Sequence, residues 1–237
     1  RFLNAFKGPN AGKNLVLFLA CLSGAMPFIW GGSILPFHDE PGHMALVHIL
    51  DQINNSETGY AHRYKIELGL TPNWLYYVLV LGLSQIVHVE IAHRLFCIIF
   101  AVLALPAAMF YLLHVSKKET AYAASACIFT FHWGMIYGFT QWAAAIPFVL
   151  LFVALRLHRY ELQTQKSQRI ADVLLCCSGF FLFSIHTFAF LVFIPGILIV
   201  MAFKSRQRKH FVSDGFTLLP GVMVFFYWLS QRKMGKG

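Results

Sequence analysis

The densest group of reactive side chains in the sequence is His38-Asp39-Glu40-Pro41-Gly42-His43, with His48 and Asp51 one and two turns further on. Two adjacent carboxylates set between imidazoles suit a general base, a divalent-cation site, or both. A base needs a carboxylate within hydrogen-bond reach of an acceptor hydroxyl, its pKa raised by partial desolvation toward working pH. Asp39 and Glu40 are the candidates for that work. A metal site needs oxygen ligands for magnesium or manganese, or imidazole together with carboxylate for a transition metal. Its candidate ligands are His38, Glu40 and His43. The same run also reads as a simple helix start, because a Pro-Gly pair and an acidic first turn are ordinary helix-start signals.

Other chemistry is thinner. His88, His93, His114, His132 and His186 lie in or beside apolar runs, where a facing pair could hold a haem or a chlorin. No pair has a spacing that fixes such a site within one helix, and an intramembrane His also serves as a hydrogen-bonding packing residue. Cys21, Cys97, Cys127, Cys176 and Cys177 all fall in apolar segments without ligand or redox spacing, and read as core or lipid-facing residues. Asn54-Asn55-Ser56 is a glycosylation sequon that has meaning only in a secretory compartment. The basic run Lys204 to Lys209 reads as a topogenic flank, with anionic-lipid binding as the alternative.

These groups must be positioned by helices in lipid. Of 237 residues, 58% are hydrophobic and 12% charged, about half the charged share of a soluble domain. The mean hydropathy is +0.62. Such a chain has too little polar surface to cover one core, which excludes a soluble globule, a disordered segment and a disulfide scaffold. It also excludes a nucleic-acid domain, despite a net charge of +9. The expected class is an all-α integral membrane bundle of about seven transmembrane helices, forming a single domain over residues 1–237. Membrane lipids are its first partners. Starting at Arg1 rather than Met, the chain reads as a piece of a longer protein.

The first span is expected from about Asn14 to Ile34, retained as a signal anchor behind Arg1, Lys7 and Lys13. It leads into a polar loop, residues 35–73, holding five of the ten acidic residues. Within the loop, Gly42 to Ile53 predicts an amphipathic surface helix with Leu46, Ile49, Leu50 and Ile53 on one face. A second span is predicted from Pro72 to about Val87, and a third from Leu95 to Val115. The apolar run Ala121 to Leu155 predicts two short helices meeting at Tyr137 to Gln141, because Gly134, Gly138 and Pro147 interrupt it. His186 and Pro195 divide the run Ala171 to Phe203, which fits one long tilted span or two short ones, and a last span is expected over Phe216 to Leu229. The lysine and arginine bias places the N-terminus in the cytoplasm and the acidic loop outside or in a lumen. With three spans before them, however, Lys117 and Lys118 fall on the outer side, against that bias.

An N-terminal span, an outer loop opening on Asp39-Glu40, a surface helix, Thr71-Pro72-Asn73-Trp74 opening the next apolar run, and Glu90-Ile-Ala-His-Arg94 before the third together resemble the polytopic GT-C glycosyltransferases. Trp133-Gly134-Met-Ile-Tyr137-Gly138-Phe139, followed by an Ala- and Leu-rich helix ending in Arg156, is similar to segments of bacterial members. The resemblance covers roughly residues 14–160. It implies transfer of a sugar from a polyprenyl-phosphate-linked donor to an acceptor at the outer or lumenal face of a bacterial inner membrane or an endoplasmic-reticulum-type membrane. Asp39 would be the base and Glu40 its support or a metal ligand. Arg63, Lys65 and Arg94 would neutralise the donor phosphate as it leaves. The family usually has more spans and often a C-terminal soluble domain, so a truncated or silent relative is one alternative. A structural or pigment-contacting subunit of a larger membrane complex is another. A transporter is the third, and the lack of an acidic residue deep in any span counts against ion coupling.

Overall fold

The computed structural model describes residues 11–31, 39–66, 70–118, 120–131, 137, 139–204 and 214–234, and every regular element among them is helical. Helix α1 is Ala11–Trp30. Its last turn closes when the Gly31 N–H donates to the Pro27 carbonyl at 2.8 Å, and a Cβ at Gly31 would collide with that oxygen. Helix α2 is Glu40–Gln52, and α3 is the single turn Tyr60–Arg63. Helix α4, Trp74–Ser84, is entered through Asn73 at φ 67°. Then α5 runs from Val89 to Val115. Its turns widen to a π-helix over Cys97–Leu103, just before Pro106, which has no N–H to give to the carbonyl four residues back. A 3-10 helix, Thr120–Phe131, is followed by α6 (Thr140–Arg159), α7 (Gln165–Ile185), α8 (Thr187–Lys204) and α9 (Leu219–Met234).

Three of these helices, Val89–Val115, Thr140–Arg159 and Gln165–Ile185, are long and apolar enough to cross a membrane. The amphipathic helix expected over Gly42 to Ile53 is α2. The break expected at Tyr137 to Gln141 falls between the 3-10 helix and α6, and the division at His186 is the junction of α7 and α8. These junctions separate longer helices than the sequence predicts, with α6 and α7 at 20 and 21 residues.

The second span is a correction. Helix α4 has 11 residues, about 16 Å at 1.5 Å per residue, against roughly 30 Å of hydrocarbon. Both its ends lie at one end of the bundle. At its start, the Asn73 N–H donates to the Phe183 carbonyl at 3.4 Å, and the Thr187 N–H donates to Asn73 Oδ1 at 3.1 Å. At its finish, a short turn returns the chain into α5. There the Arg94 guanidinium donates to the Ile29 carbonyl at 2.9 Å, so the C-terminus of α1 sits at the same end. The opposite end is marked by the Lys117 to Glu161 pair at 3.4 Å, joining the end of α5 to the end of α6. With α4 not crossing, the basic stretches at 117–118 and 156–169 gather at one end, and Asp39, Glu40, Asp51, Glu57 and Glu90 at the other.

Packing uses small residues, as expected where lipid removes most of the hydrophobic drive between helices. On α6, Ala143, Ala144, Ala145 and Ala154 are buried, so α5 and α8 can approach its backbone. Gly179 of α7 meets Gly221 of α9 directly, and a Cβ on Gly221 would lie 2.7 Å from the Gly179 Cα. Leu182, Phe183, Phe190, Phe193 and Ile197 fill the core beside that crossing.

Candidate functional site

The acidic end is organised by α2. It packs on α4 in parallel register, tied near its start by His43 Nδ1 and the Tyr77 hydroxyl at 2.9 Å and at its finish by Gln85 Nε2, which donates to Asp51 Oδ1 at 2.9 Å. Both ties join residues 34 apart, so one register serves the whole contact. Gln52 and Gln85, in that order, hold the Asp51 carboxyl below the usual carboxylate range. Burial pushes the His43 imidazole down, partly opposed by Glu40.

Asp39 and Glu40 are separated by this docking. Asp39, at the N-cap of α2, is exposed, whereas Glu40 in the first turn has no exposed surface. Glu40 Oε1 lies 2.5 Å from His93 Nε2 on α5, and the other ring nitrogen, Nδ1, lies 2.7 Å from the Tyr76 hydroxyl on α4. Both ring nitrogens of His93 are thus in close contact, Nε2 with Glu40 and Nδ1 with Tyr76. The Cys97 thiol lies 3.2 Å from the same Nε2. Neither Glu40 oxygen has a hydrogen-bond partner, so its contact with His93 is an ion-pair contact. Three elements thus meet on one imidazole, and Glu40 is a brace inside the protein while its neighbour faces out.

The other predicted site residues divide. His38 lies outside the described residues. Arg63, ending α3, and Lys65, two residues further on, are exposed. Lys65 lines a groove of about 170 Å³ whose other walls include Leu46, Ile49, Leu50 and Ile53, the predicted apolar face of α2, and Tyr77. Arg94 is 7% exposed, bonded to Ile29, with its guanidinium 5.5 Å from the Trp30 ring centre. It joins α1 to α5 and lies within the protein rather than in the groove. Of the metal set, Glu40 lies against His93 and His43 bonds Tyr77, and no group of three or more His, Cys, Asp or Glu able to hold a metal occurs among the described residues. His93 has both ring nitrogens engaged, which removes it from haem ligation.

Sequence reasoning missed the buried polar groups. Tyr76 was hidden in an aromatic anchor segment, and its only signal was a hydroxyl one turn into an apolar run. At the basic end, Arg156 and Asp214 are fully buried and 3.2 Å apart, and Tyr160 donates to the second Asp214 oxygen at 2.6 Å. Arg156 also donates to Thr217 Oγ1. Arg159 grips Asp172 with two bonds of 2.9 and 3.1 Å, fastening α6 to α7. The legible signal was that Asp214 is the only acidic residue after Asp172. Polar atoms without partners also gather at the acidic end: Thr140 Oγ1 and Gln141 Nε2 at the start of α6, and His186 Nδ1 at the junction of α7 and α8.

No protein family, curated protein or solved structure matches this chain.

Proposed function

We propose that the protein is a membrane-embedded glycosyltransferase of the GT-C kind, transferring a sugar from a polyprenyl-phosphate-linked donor at the outer or lumenal face, with Asp39 as base. The observation that carries this reading is the pairing of an exposed Asp39 with a buried Glu40 braced on His93 and Tyr76. A base must be held in place and remain accessible, and the adjacent carboxylates divide those two tasks. In the reaction the acceptor hydroxyl attacks the anomeric carbon while Asp39 takes its proton. The bond from the anomeric carbon to phosphate oxygen breaks, and the electron pair leaves with the polyprenyl phosphate. Lys65 lies beside an apolar groove, and it and the exposed Arg63 are suited to balance that charge, whereas Arg94 serves as a tie between helices. Glu40 acts as a positioning residue. No step requires magnesium or manganese.

On this reading the chain crosses seven times, by α1, α5, the 3-10 helix, α6, α7, α8 and α9, with α2 to α4 at the outer face. The 3-10 helix has 12 residues, about 24 Å at 2.0 Å per residue. The N-terminus and the basic stretches at 117–118 and 156–169 would then share the cytoplasmic side, in keeping with the positive-inside rule, while Arg232 and Lys233 would lie outside.

The test uses the full chain in liposomes with labelled polyprenyl-phosphate sugars on one side and nucleotide sugars on the other. Label passing to an acceptor from the polyprenyl donor is the expected result. Transfer from a nucleotide sugar alone, or from neither, overturns the proposal.

A further inference from the structure

A second groove, of about 300 Å³, lies between α5 and α6, away from the acidic end. Ala104, Ala107, Ala108 and Tyr111 of α5 form one wall, and Phe148 and Leu151 of α6 are on the other. Small side chains at i, i+3 and i+4 leave a trough on that face of α5, and Tyr111, at i+7, stands at its far end. From Ala104 to Tyr111 the trough runs about 10 Å at 1.5 Å per residue. Both helices are long and apolar enough to cross a membrane, so the trough lies within the hydrocarbon, and only Tyr111 among its lining side chains carries a polar atom.

The trough leads toward a cationic rim. Along both helices toward the basic end, the rings of Tyr111 and His158 meet with centroids 6.0 Å apart, and beyond them Lys117 reaches Glu161 at 3.4 Å. The Lys117 side chain is 80% exposed, and so exposed a pair holds its lysine only weakly, leaving it able to take a second partner. Lys118 beside it is exposed too. Helix α8 starts beside Asn73 at the acidic end and finishes at Lys204, with the run to Lys209 following in the sequence. The stretches that leave the basic end, 116–119, 156–169 and 204–209, hold ten Lys or Arg against Glu119 and Glu161, and Asp172 and Asp214 offset only Arg159 and Arg156. We propose that the groove is the site of one anionic phospholipid, its acyl chain lying along Ala104, Ala107 and Ala108 and its phosphate at Lys117, Lys118 and the Tyr111 hydroxyl. Basic pockets between membrane helices are a recurrent setting for acidic head groups. A second copy docked here in the same orientation would instead set two such basic ends side by side, which like-charge repulsion opposes. The inference does not depend on sugar transfer.

The experiment is native mass spectrometry of the full chain released from nanodiscs of equal parts dioleoyl phosphatidylglycerol and dioleoyl phosphatidylcholine, so that the two lipids differ only in the head. Phosphatidylglycerol should be retained about tenfold over phosphatidylcholine, the size expected for one or two lysines near a lipid phosphate. Ala107→Leu fills the trough from an exposed position and should remove the retained lipid at an unchanged thermal midpoint, and Ala104→Leu fills the same trough one turn away. Lys117→Gln with Lys118→Gln should leave a lipid in place but bring the two heads to parity. Lys166→Gln with Arg169→Gln takes as much charge from exposed positions on α7 at the same end and should leave the preference standing. Equal retention of the two lipids in wild type, phosphatidylglycerol held as before in both filled variants, or the same loss of preference in the α7 pair overturns the site. A dimer that retains no phospholipid also overturns it, in favour of a second copy in the groove.

Discussion

Replacing Glu40 by alanine should destabilise the acidic end far more than the same change at Asp39. Both the Glu40 and His93 side chains are fully buried, with 2.5 Å between Oε1 and Nε2. Removing one partner of a buried pair leaves the other desolvated and unmatched, which costs on the order of 3 kcal/mol, or roughly two decades in the folding equilibrium. Glu40→Gln keeps an acceptor for Nε2–H and should cost about 1 kcal/mol. Replacing both members by apolar groups, Glu40→Met with His93→Phe, should recover most of the loss, less about 1 kcal/mol for the Tyr76 hydroxyl. Reversible unfolding in mixed micelles, followed by tryptophan fluorescence over the four members of a double-mutant cycle, measures these quantities. A Glu40→Ala protein within about 0.5 kcal/mol of wild type, or additive single changes, would refute the brace.

Further outcomes concern the rest of the bundle. Arg156→Leu should lower stability by about 3 kcal/mol in the same unfolding assay, because it takes the nearest cation from the buried Asp214 carboxylate, leaving it Tyr160 and, at 3.8 Å, Arg159. Gly221→Leu should separate α7 from α9 and lower the thermal midpoint, since even a Cβ there meets the Gly179 backbone, whereas Gly82→Ala meets open space and should not. His186 gives a pH signature: its pKa falls from 6.5 to about 4 by burial, so protonation favours the unfolded chain. Stability linked to it is intact above pH 6.5 and is lost as pH falls toward 4. His186→Phe should flatten that part of the stability profile, and an unchanged slope would show that the group is not buried as described.

Much of this architecture was legible in the sequence because lipid imposes simple rules. Apolar length announced the helices, and breaks at Tyr137 to Gln141 and at His186 followed from glycine and from a polar residue inside an apolar run. The α2 stripe was readable from its period. The second span was misplaced because composition cannot distinguish an apolar helix that crosses from one that packs beneath α2, and Trp74–Ser84 is apolar in either case. The charge conflict at Lys117 and Lys118 was open to a re-entrant segment or to charges bound to lipid phosphates, and composition alone does not choose between them. In the site, Asp39 and Glu40 were visible as a pair, but their division into outward and inward side chains depends on His93 and Tyr76. Those partners come from α5 and α4, at sequence separations that no local pattern encodes. The Arg156 to Asp214 pair, 58 residues apart, was hidden for the same reason.

The most direct measurement of the central claim is the turnover number for sugar transfer from a polyprenyl-phosphate donor by Asp39→Asn, beside wild type and Glu40→Gln. Loss of the base should lower turnover by roughly 10²- to 10⁴-fold with the folding midpoint unchanged, while Glu40→Gln retains much of the activity. Wild-type turnover in Asp39→Asn would contradict the assignment of the base.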